Sequence, residues 1–375
     1  MAIKIMYLID HYQNPQAGTE GQLFQLVEHL DRTRYEPSMT VFRSSEYIDR
    51  NLFPCPVRVL NITKLASVGT ISKILQYVRT LHRENYRLVH CYFNDTSLIA
   101  PVFLKFFGIK VLVSRRDMGF WYTPRNLLAL RLVAPFVDRY IANSQAVKQI
   151  VQQQERVAGE KITVIYNGYA PTTSNDQEIA GEKISEIPDG VPIIGIVANL
   201  RPIKRMDVLI EAFAIIANAY PDAYLVIIGD KASSQANATF RQLENLISRL
   251  NIAKRVIFLG KIEKPMPYIR KFTIAILCSE SEGFSNSIIE YMQAGRPIIC
   301  TNTGGNAEII QDGHNGLLIP VGDSSALANS LMRLLSDNTL AHRLGQVGYE
   351  TVRAYTHTRM IVKQMACYDQ VLATG

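Results

Sequence analysis

Residues 3–30 read IKIMYLID-HYQNPQAGTE-GQLFQLVEHL. Ile3 to Ile9 form an apolar run rich in β-branched side chains, which suits a strand buried on both faces. Asp10 and the polar stretch through Glu20 end that run, and Leu23, Leu26, Val27 and Leu30 then recur at helical spacing. The phrase strand, loop, helix repeats along the chain. PSMTVF (37–42), VRVL (57–60), RLVHCYF (87–93), KVLVS (110–114), RYIANS (139–144) and ITVIYN (162–167) read as further strands, with helical patterns at 95–108 and 146–154. Strands alternating with helices predict a parallel sheet covered on both faces.

The rhythm breaks at residues 171–190, PTTSNDQEIAGEKISEIPDG, a polar stretch with proline and glycine that reads as a linker. It restarts with strand patterns at 192–199, 223–230, 256–260, 272–278, 297–300 and 316–320. Helical patterns at 208–220, 240–250, 286–295 and 326–336 accompany them. The fold class predicted is α/β, with two Rossmann-like doubly wound domains at 1–175 and 190–352. Residues 353–375 are helical in pattern with no strand after them, so they are expected to pack back on the N-terminal domain. Open α/β sheets bind ligands beyond the carboxyl ends of their strands. Two such domains are therefore expected to face a central cleft, lined by the loops after residues 9, 114, 199, 229 and 278.

Composition supports two cores: the chain has 375 residues, 47% hydrophobic and only 19% charged, which excludes a disordered chain. No run reaches the roughly 18 apolar residues of a membrane span, and the N-terminus lacks a signal-peptide pattern. Five scattered cysteines without CxxC spacing point to a reducing, cytoplasmic setting. Charge is uneven. Residues 1–170 hold 21 Lys and Arg against 13 Asp and Glu, whereas the remainder holds 19 against 20. A basic first half suits an anionic substrate or an anionic membrane surface. No dense Lys/Arg run marks a nucleic-acid arm, so nucleic acid is not an expected partner.

The most specific local signal is Cys278-Ser-Glu-Ser-Glu282-Gly283-Phe284-Ser285-Asn-Ser-Ile-Ile-Glu290. A buried strand ends, a loop carries Glu282 and Gly283, and a helix begins near Ser285. A helix N-terminus presents unpaired N–H groups that suit a phosphate, and Gly283 lets the backbone approach a ligand. Glu282 and Glu290 can accept hydrogen bonds from hydroxyls. Of four Glu-x7-Glu pairs in the chain, only 282/290 sits on a strand–loop–helix junction with a glycine beside its first member. Ser287-Ile-Ile-Glu290 also fits a capping box, in which the glutamate reaches back to the helix start.

EGFSNSIIEYMQAGRPII (282–299) resembles the Glu-x7-Glu segment of retaining GT-B glycosyltransferases of glycosyltransferase family 4, also described as glycosyl transferases group 1. The likeness continues through TNTGGNAEIIQDGHNGLLIP (301–320), and VIYNGY, IANS, LVIIGD and VIFLG fit in order and spacing. The resemblance implies that Glu290 binds the nucleotide ribose and that Glu282 holds the donor sugar near its reacting carbon. It also implies that Gly283, Phe284 and Ser285 lie against the sugar and diphosphate.

Three further segments fall under the same resemblance. Gln16-Ala17-Gly18-Thr19-Glu20 is similar to the family's short glycine loop, with Ala17 replacing one glycine, and implies donor contacts at Gly18 and Thr19. Thr19-Glu-Gly-Gln22 is equally a capping-box pattern. In Asn199-Leu-Arg201-Pro-Ile-Lys204-Arg205-Met-Asp207, Lys204 falls where the family places a lysine on the leaving diphosphate. Asn199 stands where its arginine usually does, so Arg201 with Lys204 is expected to meet that charge and Arg205 to be solvated. Arg115 and Arg116 replace the family's usual histidine and are expected on the acceptor side. An arginine cannot serve as a general base, but it can bind a phosphate or carboxylate. An Arg–Asp pair with Asp117 that merely fixes the loop is the plainer alternative. Phe120, Trp121 and Tyr122 read either as interface aromatics or as core beneath the loop.

No Asp-x-Asp, clustered Cys/His spacing, Gly-x-Gly-x-x-Gly or Gly-x-Ser-x-Gly occurs, so neither a metal nor a resident cofactor is expected. The resemblance implies a hexosyltransferase that moves a sugar from a UDP- or GDP-linked donor to a hydroxyl of a glycan or lipid-linked acceptor, with retention. Cell-surface polysaccharide or lipopolysaccharide synthesis is the expected setting, with the protein cytoplasmic and peripheral at the inner membrane face. The alternatives are a nucleotide-sugar epimerase and a non-catalytic sugar-nucleotide-binding protein of the same fold.

Overall fold

A computed structural model describes residues 2–15, 18–65, 67–170, 184, 186–231 and 234–374. Most of the segment read as a linker, residues 171–183 and 185, lies outside the described residues, as do Gln16 and Ala17 of the first loop. The chain divides into two compact units, Met1–Gly168 with Tyr355–Gly375, and Tyr169–Ala354.

The first unit runs β1 (Ile3–His11), α1 (Gly18–Glu28), β2 (Tyr35–Arg43), α2 (Glu46–Asp49), β3 (Val57–Val59), α3 (Val68–Arg83), β4 (Leu88–Tyr92), α4 (Asn94–Phe106), β5 (Lys110–Arg115), α5 (Pro124–Val133), β6 (Arg139–Ala142), α6 (Gln145–Ile150) and β7 (Ile162–Val164). A π-helical turn, Val151–Glu155, continues α6. The second unit runs β8 (Ile193–Val197), α7 (Met206–Ile216), β9 (Tyr224–Ile228), α8 (Ser234–Arg249), β10 (Val256–Gly260), α9 (Met266–Ile269), β11 (Ile274–Leu277), α10 (Asn286–Gln293), β12 (Ile298–Thr301), α11 (Asn306–Ile309), β13 (Leu317–Ile319), α12 (Ser324–Ser336) and α13 (Asn338–Val352). The last helix, α14 (His357–Ala373), belongs to the first unit.

Both sheets are parallel among the described residues, ordered β3-β2-β1-β4-β5-β6-β7 and β10-β9-β8-β11-β12-β13. Each order reverses once, between β1 and β4 and between β8 and β11. Those switch points are where an open α/β sheet leaves room for a ligand. The crossover from β3 to β4 needs a helix that the sequence reading did not name. It is α3, capped by the Ser67 side chain accepting from Thr70 N and burying Ile74, Tyr77, Val78 and Leu81.

Side-chain alternation along β1 explains the two layers. Ile5, Tyr7 and Ile9 pack with Leu23, Leu26 and Val27 of α1 and with Met360, Ile361, Cys367, Tyr368 and Val371 of α14. Met6 and Leu8 face the other way, onto Ile74 and Val78 of α3 and Ala100 and Leu104 of α4. A fully buried aliphatic side chain contributes about 1.5–3 kcal/mol, so α14 is a structural part of this unit. A polar chain reinforces the seam: His90 lies 2.9 Å from both the Tyr368 hydroxyl and Ser114 Oγ, and Tyr368 donates to the Tyr7 hydroxyl at 3.2 Å. Burial, then the charge of Arg116, pushes the His90 pKa down to about 3, which keeps it neutral. In the second unit Ile194 and Ile196 of β8 pack on Leu209 and Phe213 of α7 and on Leu327 and Leu331 of α12.

Candidate active site

At the switch point of the second sheet, backbone bonds lace the loop after β8 to the loop after β11. Glu280 N donates to Ile203 O at 2.8 Å, and Cys278 Sγ donates to the carbonyls of Lys204 and Arg205 at 3.2 and 3.1 Å. The lacing brings Lys204 Nζ to 2.5 Å from Glu282 Oε1. Ser279 Oγ donates to the same oxygen at 2.7 Å, and Gly305 N donates to the Glu282 carbonyl at 3.0 Å. Lys204 and Glu282, named separately from the sequence, therefore form one partly buried ion pair.

Arg201 and Asn199 are both exposed on the loop after β8. Arg205 is half-buried and ion-paired. Its Nε and Nη2 fork the Asp207 carboxylate at 2.9–3.1 Å, and its backbone sits in the left-handed region at φ 46°. The bond to Asp207 raises its pKa, so this guanidinium is committed.

Gly283, Phe284 and Ser285 are buried where α10 begins. The helix cap is Ser285, whose side chain accepts from Ile288 N. Ser287 turns away and donates to Val197 O at 2.7 Å, so the capping-box reading of Glu290 does not hold. The Glu290 carboxylate has no hydrogen-bond or ion-pair partner among the described residues, and burial pushes its pKa up to about 7. A desolvated acceptor with no internal donor is a group that a hydroxyl-bearing ligand satisfies. Next to it, the Tyr291 hydroxyl accepts from Val197 N at 2.7 Å and donates to Ile276 O at 3.2 Å. Strands β8 and β11 pair only at Ile274–Ile194 and Ala275–Gly195. Tyr291 thus bridges them where they part.

In the first unit the loop after β1 is held by carboxylates. Asp10 accepts from the backbone N of Asn94, Asp95 and Thr96 at 2.8–3.1 Å and so occupies the N-terminus of α4. Glu20 accepts from Gln13 N at 3.0 Å and Asn14 N at 3.4 Å. Gly18 and Thr19 open α1, the glycine exposed and the threonine half-buried. Gln22 does not complete a capping box: its amide exchanges two 2.9 Å bonds with the backbone of Gly168. A Cβ on Gly21 would fall 2.4 Å from Pro15 O, so the loop folds over the first helical turn only because that position is glycine.

Arg115 is not free to meet an acceptor. Expected on the acceptor side, it is buried, with Nε 2.6 Å from Glu155 Oε1, Nη2 3.0 Å from Oε2, and Nη1 donating to Ser97 Oγ at 3.0 Å. Trp121 and Tyr140 flank its guanidinium, and the Tyr122 hydroxyl donates to Glu155. The partner is Glu155 at the end of the π-helical turn, not Asp117, whose carboxylate instead accepts from Gly119 N at 2.7 Å. Nothing in VQQQER signals that role. Arg116 points elsewhere, is half-buried and donates to Asn167 Oδ1. Of the three aromatics, Phe120 is exposed, whereas Trp121 and Tyr122 pack around the Arg115–Glu155 pair.

Residues 17–172 match the family described as Glycosyltransferase Family 4, and residues 178–351 match Glycosyl transferases group 1. The chain belongs to this family of glycosyl transferases. It is 33% identical over 168 residues to the N-acetyl-alpha-D-glucosaminyl L-malate synthase of Bacillus anthracis, covering 45% of this chain and 42% of that protein. It is 24% identical over 345 residues to the UDP-Gal:alpha-D-GlcNAc-diphosphoundecaprenol alpha-1,3-galactosyltransferase of Escherichia coli, covering 86% of each. The chain spans between 42% and 46% of the length of the first curated relatives it matches. The solved structure of Anabaena Alr3699/HepE in complex with UDP shares the fold, with TM-score 0.84 and 22% identity over 98% of this chain and 100% of that one. The architecture is thus that of GT-B glycosyltransferases. Among the described residues, no helix is long and apolar enough to cross a membrane.

Proposed function

We propose that this protein is a retaining hexosyltransferase that moves a sugar from a UDP- or GDP-linked donor to a hydroxyl of a glycan or lipid-linked acceptor. The observation that carries the reading is the Lys204–Glu282 pair on two laced loops at one switch point, followed by a half-buried Glu290, without a partner among the described residues, on the helix that the second loop opens. Glu290 accepts from the ribose hydroxyls. Lys204 and Arg201 face the diphosphate, and the start of α10, at Gly283, Phe284 and Ser285, adds N–H groups to it. Glu282 orients the sugar. Gly18 and Thr19 are assigned donor contacts, and Arg116 the acceptor side.

In the reaction, the bond from the anomeric carbon to the diphosphate oxygen breaks, with its electron pair leaving on the diphosphate. The acceptor oxygen bonds to the same face of that carbon, and its proton passes to the departing phosphate oxygen. No protein nucleophile is required. Preorganised positive charge on the leaving group is the main catalytic contribution.

The relatives' names support a sugar-transfer activity, and the Escherichia coli relative's name specifies a diphosphoundecaprenol acceptor. A basic first unit suits an anionic lipid-linked acceptor presented at a membrane surface, with the protein peripheral at the cytoplasmic face. A test is to incubate the full chain with UDP- and GDP-sugars and a diphospholipid-linked monosaccharide, and to assign the product anomer by NMR. An acceptor-dependent product of retained configuration supports the reading. Donor consumption without acceptor points to an epimerase, and inversion rejects the mechanism.

A further inference from the structure

A second concave site lies on the opposite side of the second sheet, beside the residues that lead into β11 and β12. It is a cavity of about 350 Å3 walled by Arg270, Gln293, Arg296, His342, Gln346 and Tyr349. His342, Gln346 and Tyr349 are spaced four and three apart on α13, so one face of that helix forms a wall. The opposite wall is the turn after α10. The two meet with backbone in contact, since a Cβ on Gly345 would fall 2.3 Å from Gly295 O.

Charge makes this cavity unusual. Arg296 spends Nε on Ala294 O at 3.0 Å and Nη1 on Phe272 O at 3.3 Å, which fixes its fork and leaves Nη2 without a protein acceptor among the described residues. The Arg270 guanidinium has no hydrogen-bond or ion-pair partner among them. No carboxylate lines the cavity, and Glu350, beside Tyr349 on α13, is committed to Arg353 at 2.8 Å. Burial, and then the charge of Arg270, pushes the Arg296 pKa down. A concavity lined by one sign of charge focuses its field on a counter-ion. Guanidinium groups match the oxygens of a phosphate.

We propose that this cavity binds the phosphate group of a small molecule, held by Arg270 and by Nη2 of Arg296. His342 adds a donor at the rim, while Gln346, Tyr349 and the amide oxygen of Gln293, whose Nε2 already donates to Ala170 O at 2.7 Å, face whatever the phosphate carries. The volume accommodates a phosphate bearing a sugar-sized group. The site shares no residue with the proposed donor site, so it stands or falls independently of that function.

The test is calorimetric titration of the full chain with inorganic phosphate and with glucose 1-phosphate, against sodium chloride at matched ionic strength. Wild type, Arg270→Gln, Arg270→Gln/His342→Gln and Lys204→Gln are compared. Saturable binding is expected in wild type with a Kd of about 1 mM or tighter, weakened roughly tenfold or more in both Arg270 variants. Lys204→Gln leaves it unchanged. Because Arg270 has no partner to lose, the melting temperature of Arg270→Gln stays that of wild type. Tighter binding of the ester than of the free ion identifies an organic phosphate as the ligand, and equal binding identifies inorganic phosphate. The proposal is overturned by unchanged affinity in the Arg270 variants, by loss of binding in Lys204→Gln, or by a response that chloride reproduces.

Discussion

The ammonium of Lys204 lies 2.5 Å from Oε1 of Glu282, across the point where the second sheet reverses its strand order. On the proposed mechanism, the pair keeps a cation and a carboxylate in place before any substrate arrives, where leaving-group charge would develop. Preorganised charge of this kind costs no reorganisation during the reaction.

Glu282→Gln keeps the shape of that side chain and an acceptor for Ser279 Oγ, but removes its charge. The transfer rate is expected to fall about 10²–10³-fold, with nucleotide affinity changed only a few-fold and the melting temperature nearly unchanged. Steady-state kinetics beside a binding titration checks this. Full activity in the variant contradicts the role given to Glu282.

Glu290 makes binding and stability depend on pH in opposite senses. An unfolded glutamate titrates near 4.3, whereas the native group holds its proton up to about 7. Between those values the native state binds more proton than the unfolded chain. The stabilisation is therefore complete below about 4.3 and is lost as pH rises through about 7. In the proposed role, ribose hydroxyls donate to the ionised form, so nucleotide affinity is expected to rise over the same interval. Glu290→Gln is expected to flatten both profiles, measured by urea unfolding and by nucleotide titration from about pH 5 to about pH 8.

Glu155→Ala strands the buried Arg115 guanidinium and is expected to cost about 3–5 kcal/mol in urea unfolding. Arg115→Met with Glu155→Leu replaces both charges by apolar groups and recovers most of that loss. If Arg115 is structural, the double variant keeps its acceptor KM within a few-fold. A large rise in acceptor KM without loss of stability returns Arg115 to the acceptor side.

Gly21→Ala places a methyl group against Pro15 O, where the unsubstituted backbone already closes the gap. Overpacking of this kind costs about 1–3 kcal/mol. Because the loop carries Gly18 and Thr19, donor affinity is expected to fall with it. Wild-type donor affinity in the variant removes the first loop from the donor site.

The fold was legible because it depends on local periodicity. Ile3–Ile9 and 192–199 announce buried parallel strands, and Leu23, Leu26, Val27 and Leu30 announce the helix that covers the first of them. Helix α3 escaped because its apolar positions, Ile74, Tyr77, Val78 and Leu81, are interleaved with lysine, glutamine and arginine. The residues of the candidate site were legible by type, and their partners were not. Arg115 and Arg116 are neighbours in sequence, yet Arg115, the last residue of β5, turns inward to Glu155, 40 residues on, and Arg116, just past the strand, turns to Asn167. Arg205 finds Asp207 two residues away, but that pairing depends on a left-handed backbone no sequence pattern marked. Likewise Ser287-Ile-Ile-Glu290 has the form of a capping box, and only the Ser285 cap and the bond from Ser287 to Val197 O show that the helix begins two residues earlier than that box requires.

The most direct measurement is calorimetric titration of UDP and GDP into wild type, Lys204→Ala and Glu290→Gln. Saturable binding of one nucleotide by wild type, weakened roughly tenfold or more in each variant at about pH 8, is the predicted result. Absence of nucleoside diphosphate binding in wild type, or equal affinity in all three proteins, contradicts the placement of the donor at Lys204 and Glu290.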